Sequence, residues 1–111
     1  YCTAKAAELQ LARAVALEGA PLGIRCNSVN PDAVLRGSKI WQGPWRQQRA
    51  ASLKISESEL EEHYRKRSLL QRSVFPEDIA EGVYFFASDL SAKSTGNFLN
   101  VDGGNAVTFS R

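Results

Sequence analysis

Tyr1 and Lys5 are the pair in this sequence whose types and spacing can do proton chemistry. Four residues apart, they share one face of a helix. A phenol ionises with an ordinary pKa of about 10. An ammonium beside it favours the phenolate and lowers that value. Such a pair can trade a proton with an alcohol or a carbonyl near neutral pH. Taken alone it fits a solvated helix face equally well, so the elements around it decide its meaning.

Those elements follow in order. Residues 2–18 are rich in Ala, Leu, Glu, Arg and Gln, with Ala4, Ala7, Leu11, Ala14 and Val15 at helical spacing. Gly19 and Pro21 are the expected stop. Residues 23–29 read as a strand on Ile24, Cys26 and Val29, broken by Asn30-Pro31-Asp32 because Pro31 has no ladder donor. A strand that ends in a polar loop is where α/β proteins place ligand sites. Residues 33–55 carry Trp41 and Trp45 among glycines, arginines and glutamines, with short helical turns expected near 38–42 and 44–52. Two tryptophans there are walls of a pocket, a contact surface or core.

Ser56 and Glu59 have capping-box spacing, which predicts a helix running to about Leu70. Glu61–Arg65 and Glu62–Lys66 are the expected i,i+4 pairs, with Leu60, Tyr64 and the Arg67 stem as the inner stripe. Pro76 suits the first position of another helix, followed by Glu77 and Asp78 at its positive end. Ile79, Ala80, Val83, Phe86 and Ala87 form its apolar stripe. Residues 97–101 read as a second strand, closed by a turn at Asp102-Gly103-Gly104. The strand–helix–strand order predicts a parallel, right-handed crossover. Two strands do not make a stable sheet, so the apolar faces require partners outside these elements.

Bulk properties narrow the function. The chain has 111 residues, 43% hydrophobic and 23% charged, with a formal net charge of +2. This is one globular domain at most. The near balance of charge argues against a nucleic-acid binder, and Glu61 and Glu62 offset the basic run Arg65-Lys66-Arg67. No apolar run approaches the ~20 residues of a membrane span. Cys2 and Cys26 are too few for a disulfide framework and read as reduced, buried thiols of a cytoplasmic protein. His63 reads as a surface residue beside two glutamates. No metal site is expected, since no ligand cluster is visible. The absence of an initiator Met and the helical start suggest the C-terminal piece of a longer protein.

Taken together, the motifs resemble the C-terminal half of a classical short-chain dehydrogenase/reductase. The matching pieces are Tyr1-Cys2-Thr3-Ala4-Lys5, Ile24 to Pro31, Pro76 to Ala80, Phe86 to Asp89, Thr95-Gly96 and Val101 to Gly104. The resemblance implies an α/β fold: the C-terminal part of a Rossmann-like, doubly wound parallel sheet, about two strands plus helices. The whole of residues 1–111 would be a partial domain, with a substrate-binding excursion over about 35–70.

It also implies roles. Tyr1 exchanges a proton with the substrate oxygen while hydride moves to or from a nicotinamide, and Lys5 holds the nicotinamide ribose and lowers the tyrosine pKa. Pro31 starts the loop along the nicotinamide, the Val34 backbone meets the carboxamide, and Trp41 and Trp45 wall the substrate pocket. The cofactor would be NAD or NADP, and the partners a small-molecule substrate, the upstream half of the domain and further copies in a homo-oligomer.

Two positions depart from the family pattern. Asp32 stands where glycine is usual, and Arg36 where threonine is frequent. Arg36 can reach a cofactor phosphate or an anionic substrate, or lie in solvent. The run from Asn30 to Trp41 is similar to the dehydrogenase half of proteins that fuse a rhamnulose-1-phosphate-type aldolase to a short-chain dehydrogenase, which implies a lactaldehyde-like substrate. The glycine-rich phosphate turn and the catalytic serine of the family lie upstream of its tyrosine. The isolated chain is therefore expected neither to bind NAD tightly nor to turn over. The competing reading is a non-catalytic assembly fragment whose apolar faces make an oligomer.

Overall fold

A computed structural model describes residues 1–105. It contains four α-helices and two strands among the described residues: α1 (Cys2–Gly19), β1 (Ser28–Pro31), α2 (Pro44–Leu53), α3 (Leu60–Arg67), α4 (Pro76–Ala87) and β2 (Phe98–Val101). Two compact units emerge, one of Tyr1–Asn30 with Ala80–Asn100, the other of Pro31–Ile79 with the chain from Val101.

In the first unit, α1 forms as its composition predicts. It runs one residue past the expected end, to Gly19, and a 3-10 turn over Ala20–Leu22 follows. The true stop is Gly23, whose φ of 72° is a left-handed conformation that glycine adopts without steric penalty. Strand β1 begins later than expected, at Ser28 rather than near Gly23. Its ladder to β2 starts only where Ser28 N–H donates to the Asn97 carbonyl at 2.9 Å. Before that point the pairing passes partly through side chains. Cys26 N–H donates to Thr95 Oγ1 at 3.1 Å, and Asn97 N–H to Asn27 Oδ1 at 3.0 Å. Pro31 closes the strand at its last position, where a missing donor is tolerated. The bonds from Ser28 to Asn97 and from Asp32 to Val101 advance in the same direction, so the two strands are parallel.

The same unit holds a cluster around one guanidinium. Arg25 donates to the carbonyls of Ser88, Ser91 and Ser94 and to Ser91 Oγ, at 3.0 to 3.4 Å. Ser91 is 2% exposed, so these bonds satisfy polar groups that water cannot reach. Apolar burial is thinner. Ala16 is the buried hydrophobic residue of α1, whereas Leu17, Leu22, Tyr84 and Leu90 are each more than two-thirds exposed. The expected stripe on α4 is likewise half open, with Val83 exposed and Phe86 half-buried. These are the unpartnered faces that two strands and their helices leave.

The second unit has its own core of Leu35, Ala50 and Leu60, backed by Ala33, Trp41, Leu53, Ile55 and Tyr64. Leu60 is completely buried. The capping box forms: Ser56 N–H donates to Glu59 Oε2 at 2.8 Å, and a 3-10 turn over Glu57–Glu59 leads into α3. That helix ends at Arg67, three residues short of the expected Leu70. The backbone N–H groups of Leu69 and Leu70 turn instead to the carbonyls of Gly104 and Gly103, both at 2.9 Å, and Gln71 takes a left-handed φ of 50°. Helix α4 opens in this unit as expected, with Pro76 at its first position and Phe75 N–H donating to the Asp78 carboxylate at 2.8 Å.

Candidate active site

Tyr1 caps the N-terminus of α1 and is 93% exposed. One turn on, Lys5 N–H donates to the Tyr1 carbonyl at 3.0 Å, so the two side chains leave the same helix turn. The Lys5 ammonium donates to Glu8 Oε2 at 2.8 Å. That hydrogen bond and the glutamate charge hold the Lys5 pKa above its ordinary value, and Tyr1 adds a smaller push in the same direction. Both cysteines are free thiols, and the expectation of burial fails for Cys2, which is exposed in the first turn of α1; Cys26 is half-buried.

In the second unit, Pro31 is the last residue of β1 and Val34 lies in the loop that follows it. Pro31 is exposed and Val34 half-buried. Ala33 between them has φ 54°, a left-handed conformation rare outside glycine. Neither Ala33 nor Val34 makes a backbone hydrogen bond among the described residues.

The two tryptophans separate. Trp41 packs on the core and meets the Tyr64 ring edge-on, with centroids 5.3 Å apart. Trp45, on the first turn of α2, is 48% exposed. Tyr64 is the hub of this unit. Arg49 Nε donates to its hydroxyl at 2.8 Å, the Arg67 guanidinium lies over its ring at 4.7 Å, and His63, half-buried rather than on the surface, meets it edge-on at 5.5 Å. A nearby cavity of about 20 Å³, lined by Asp32, Leu35, Tyr64, Arg67 and Phe75 among others, has room for a water but not for an alcohol substrate.

The charged pairs differ from the helical rule. Glu61 does not pair with Arg65. It accepts a bidentate pair from Arg36, at 2.9 and 3.2 Å, and a hydrogen bond from Ser73 at 3.1 Å. Arg65 turns to Glu62, three residues before it, which also takes Lys66 in the expected i,i+4 pair. The Arg65 bond holds Glu62 down at about 2. Arg67 pairs with Asp32, which also accepts from Asn105 Nδ2 at 2.8 Å. Sequence reasoning marked Asp32 and Arg36 as departures but missed their partners Arg67 and Glu61. Separations of 35 and 25 residues leave no local signal.

Comparison with known proteins gives the family of the chain. Residues 1–106 match the family model described as Enoyl-(Acyl carrier protein) reductase. The chain is 53% identical over 111 residues to the Uncharacterized oxidoreductase YuxG of Bacillus subtilis (strain 168), covering 100% of this chain and 16% of that one. It is 29% identical over 109 residues to the NAD-dependent glycerol dehydrogenase of Listeria innocua serovar 6a, covering 96% of this chain and 37% of that one. The crystal structure of sorbitol-6-phosphate 2-dehydrogenase SrlD from Erwinia amylovora superposes with a TM-score of 0.85 at 32% identity, over 95% of this chain and 40% of that one. The chain belongs to the short-chain dehydrogenase/reductase family, with the Rossmann-like α/β fold of its structural neighbours. It spans well under half the length of the relatives it matches.

Proposed function

We propose that this chain is the C-terminal part of an NAD(P)-dependent oxidoreductase acting on a small alcohol or aldehyde. The observation that carries the reading is Tyr1 and Lys5 on one turn of α1, within a family match over residues 1–106. A bound nicotinamide would supply the hydride acceptor or donor. Tyr1 exchanges the proton of the substrate hydroxyl or carbonyl oxygen. Lys5, whose ammonium Glu8 holds protonated to higher pH, supplies the positive charge that orients the ribose. Pro31 and Val34 present backbone to the carboxamide, and Trp41 and Trp45 supply apolar surface on the substrate side.

The coverage of only 16% of YuxG supports a much longer parent, and we propose the aldolase fusion and a lactaldehyde-like substrate for it. The glycerol substrate in the name of the Listeria relative is of the same small polyol class. A cytoplasmic homo-oligomer is part of this proposal. The test is cofactor reduction by the full-length protein with NAD and NADP across propane-1,2-diol, glycerol and larger sugar alcohols, and the reverse reaction with lactaldehyde. Absence of turnover with either cofactor across the panel overturns it.

A second reading has its own support. The exposed Leu17, Leu22, Tyr84 and Leu90 suit a stretch whose task is assembly, covered by the rest of the domain or by another copy. A monodisperse, folded monomer of residues 1–111 in sedimentation would count against it.

A further inference from the structure

The loop from Pro31 to Gly37 is tied to α3 at two points. Asp32 pairs with Arg67, and Arg36 pairs with Glu61. The order of charges is negative then positive along the loop, and negative then positive along the helix. The loop therefore lies antiparallel to α3. The opposite orientation would set Asp32 against Glu61 and Arg36 against Arg67, which like-charge repulsion forbids.

Each of the four groups has a second contact. Arg67 lies over the Tyr64 ring at 4.7 Å, and Arg36 over the Phe75 ring at 4.9 Å. Asp32 accepts from Asn105, and Glu61 from Ser73. An ordinary surface ion pair holds its geometry weakly. Here a ring and a second donor restrict the groups further, and one pair is bidentate. Between the two tie points sits Ala33 at φ 54°, a conformation that persists only where the surroundings over-determine it. Ala33 and Val34 make no backbone hydrogen bond among the described residues, so the stretch is held by Leu35 in the core and by the side chains at 32 and 36 on either side of it.

We propose that Asp32 and Arg36 are positioning residues forming a two-point ionic clasp with Arg67 and Glu61. The clasp fixes the Val34 backbone where the nicotinamide carboxamide is received. The two departures from the family pattern are thus one device. Its cofactor role rests on the function proposed above, whereas the clasp itself rests on the geometry alone.

The experiment compares the full-length protein with Asp32→Asn, Arg67→Gln and the double variant. Both side chains are about one-third exposed, so neither change opens a core. Exchange of the Asp32 and Leu69 amides, which donate to the Val101 and Gly104 carbonyls on either side of the Asp32–Arg67 tie, should rise about fivefold in each single variant, with no further rise in the double. The KM for the nicotinamide cofactor should rise by a similar factor while kcat moves less. The charge-reversed pair Asp32→Arg with Arg67→Asp should recover much of the protection. In the unmodified protein, added salt should accelerate exchange over the same residues. Unchanged exchange, or single effects that simply add, overturns the clasp. Coupled exchange with an unmoved cofactor KM overturns its positioning role. An unmodified protein that turns over no nicotinamide cofactor overturns the function proposed above, and the exchange data still decide the clasp.

Discussion

Lys5 donates its ammonium to Glu8 across less than one turn of α1, at 2.8 Å, and the carboxylate keeps that ammonium protonated to higher pH. The group expected to orient a cofactor and tune Tyr1 is therefore itself tuned by a residue three positions on. Glu8→Gln should lower the Lys5 pKa toward its ordinary value, read by NMR titration of the lysine side chain. The raised pKa also fixes a sign. The pair's small contribution to helix stability is full at neutral pH and is lost as pH rises through the Lys5 pKa. If the full-length protein has the proposed activity, its alkaline limb should move to lower pH in Glu8→Gln, with little change at pH 7.

Tyr1→Phe in the full-length protein removes the proposed proton donor and keeps the ring. We expect a fall in kcat of about 10² to 10⁴ with cofactor affinity unchanged, measured by steady-state kinetics and cofactor fluorescence. Retained turnover would remove Tyr1 from the chemistry.

Leu60 is fully buried between Leu35 and Ala50. Leu60→Ala deletes three carbons from that core and should destabilise the fold by about 2–5 kcal/mol. Chemical denaturation should show the transition moving to lower denaturant.

Gly103 sits at φ 65°, and a Cβ there would lie 3.0 Å from both Ser68 Cβ and Oγ. Gly103→Ala meets left-handed strain and this contact together, for a loss of about 1–3 kcal/mol. The bond from Leu70 N–H to its carbonyl should weaken with it, visible as faster amide exchange at Leu70.

Glu62 is held at about 2 chiefly by the Arg65 hydrogen bond, with Lys66 helping. An unfolded glutamate titrates at about 4.3. The stability this contact adds is therefore complete above that ordinary value and is lost as pH falls toward 2. Arg65→Gln should return the Glu62 carboxyl toward the ordinary range in a carbon-13 titration.

Local chemistry made much of this fold legible. Helix α1 followed from composition, the Ser56–Glu59 capping box from four residues, and the start of α4 from Pro76. Where long-range partners decide, local rules failed. Strand β1 starts at Ser28 because its ladder with β2 starts there, whatever the apolar character of Ile24 and Cys26. The helical rule paired Glu61 with Arg65, but Arg36 wins because its fork presents two parallel bonds. Tyr64 was placed on an inner stripe with the Arg67 stem, which does lie on its ring, yet nothing near it in sequence announces that Arg49 and Trp41 also meet it. Of the candidate site, the placing of Tyr1 and Lys5 one helix turn apart was legible from spacing, and the end of the strand from Pro31. The compensation of Asp32 and Arg36 was not.

The Arg25 cluster works as a ruler. Its carbonyl partners fall at every third residue, Ser88, Ser91 and Ser94. One residue inserted or deleted between them would carry at least one carbonyl out of reach of a guanidinium whose reach is fixed. The excursion around Trp45 has no such gauge, and its exposed turns can lengthen or shorten with little entropic penalty. Length variation among relatives should therefore be admitted before Ser56 and refused between Ser88 and Ser94, so that the excursion around Trp45 diversifies while the end of α4 keeps its count.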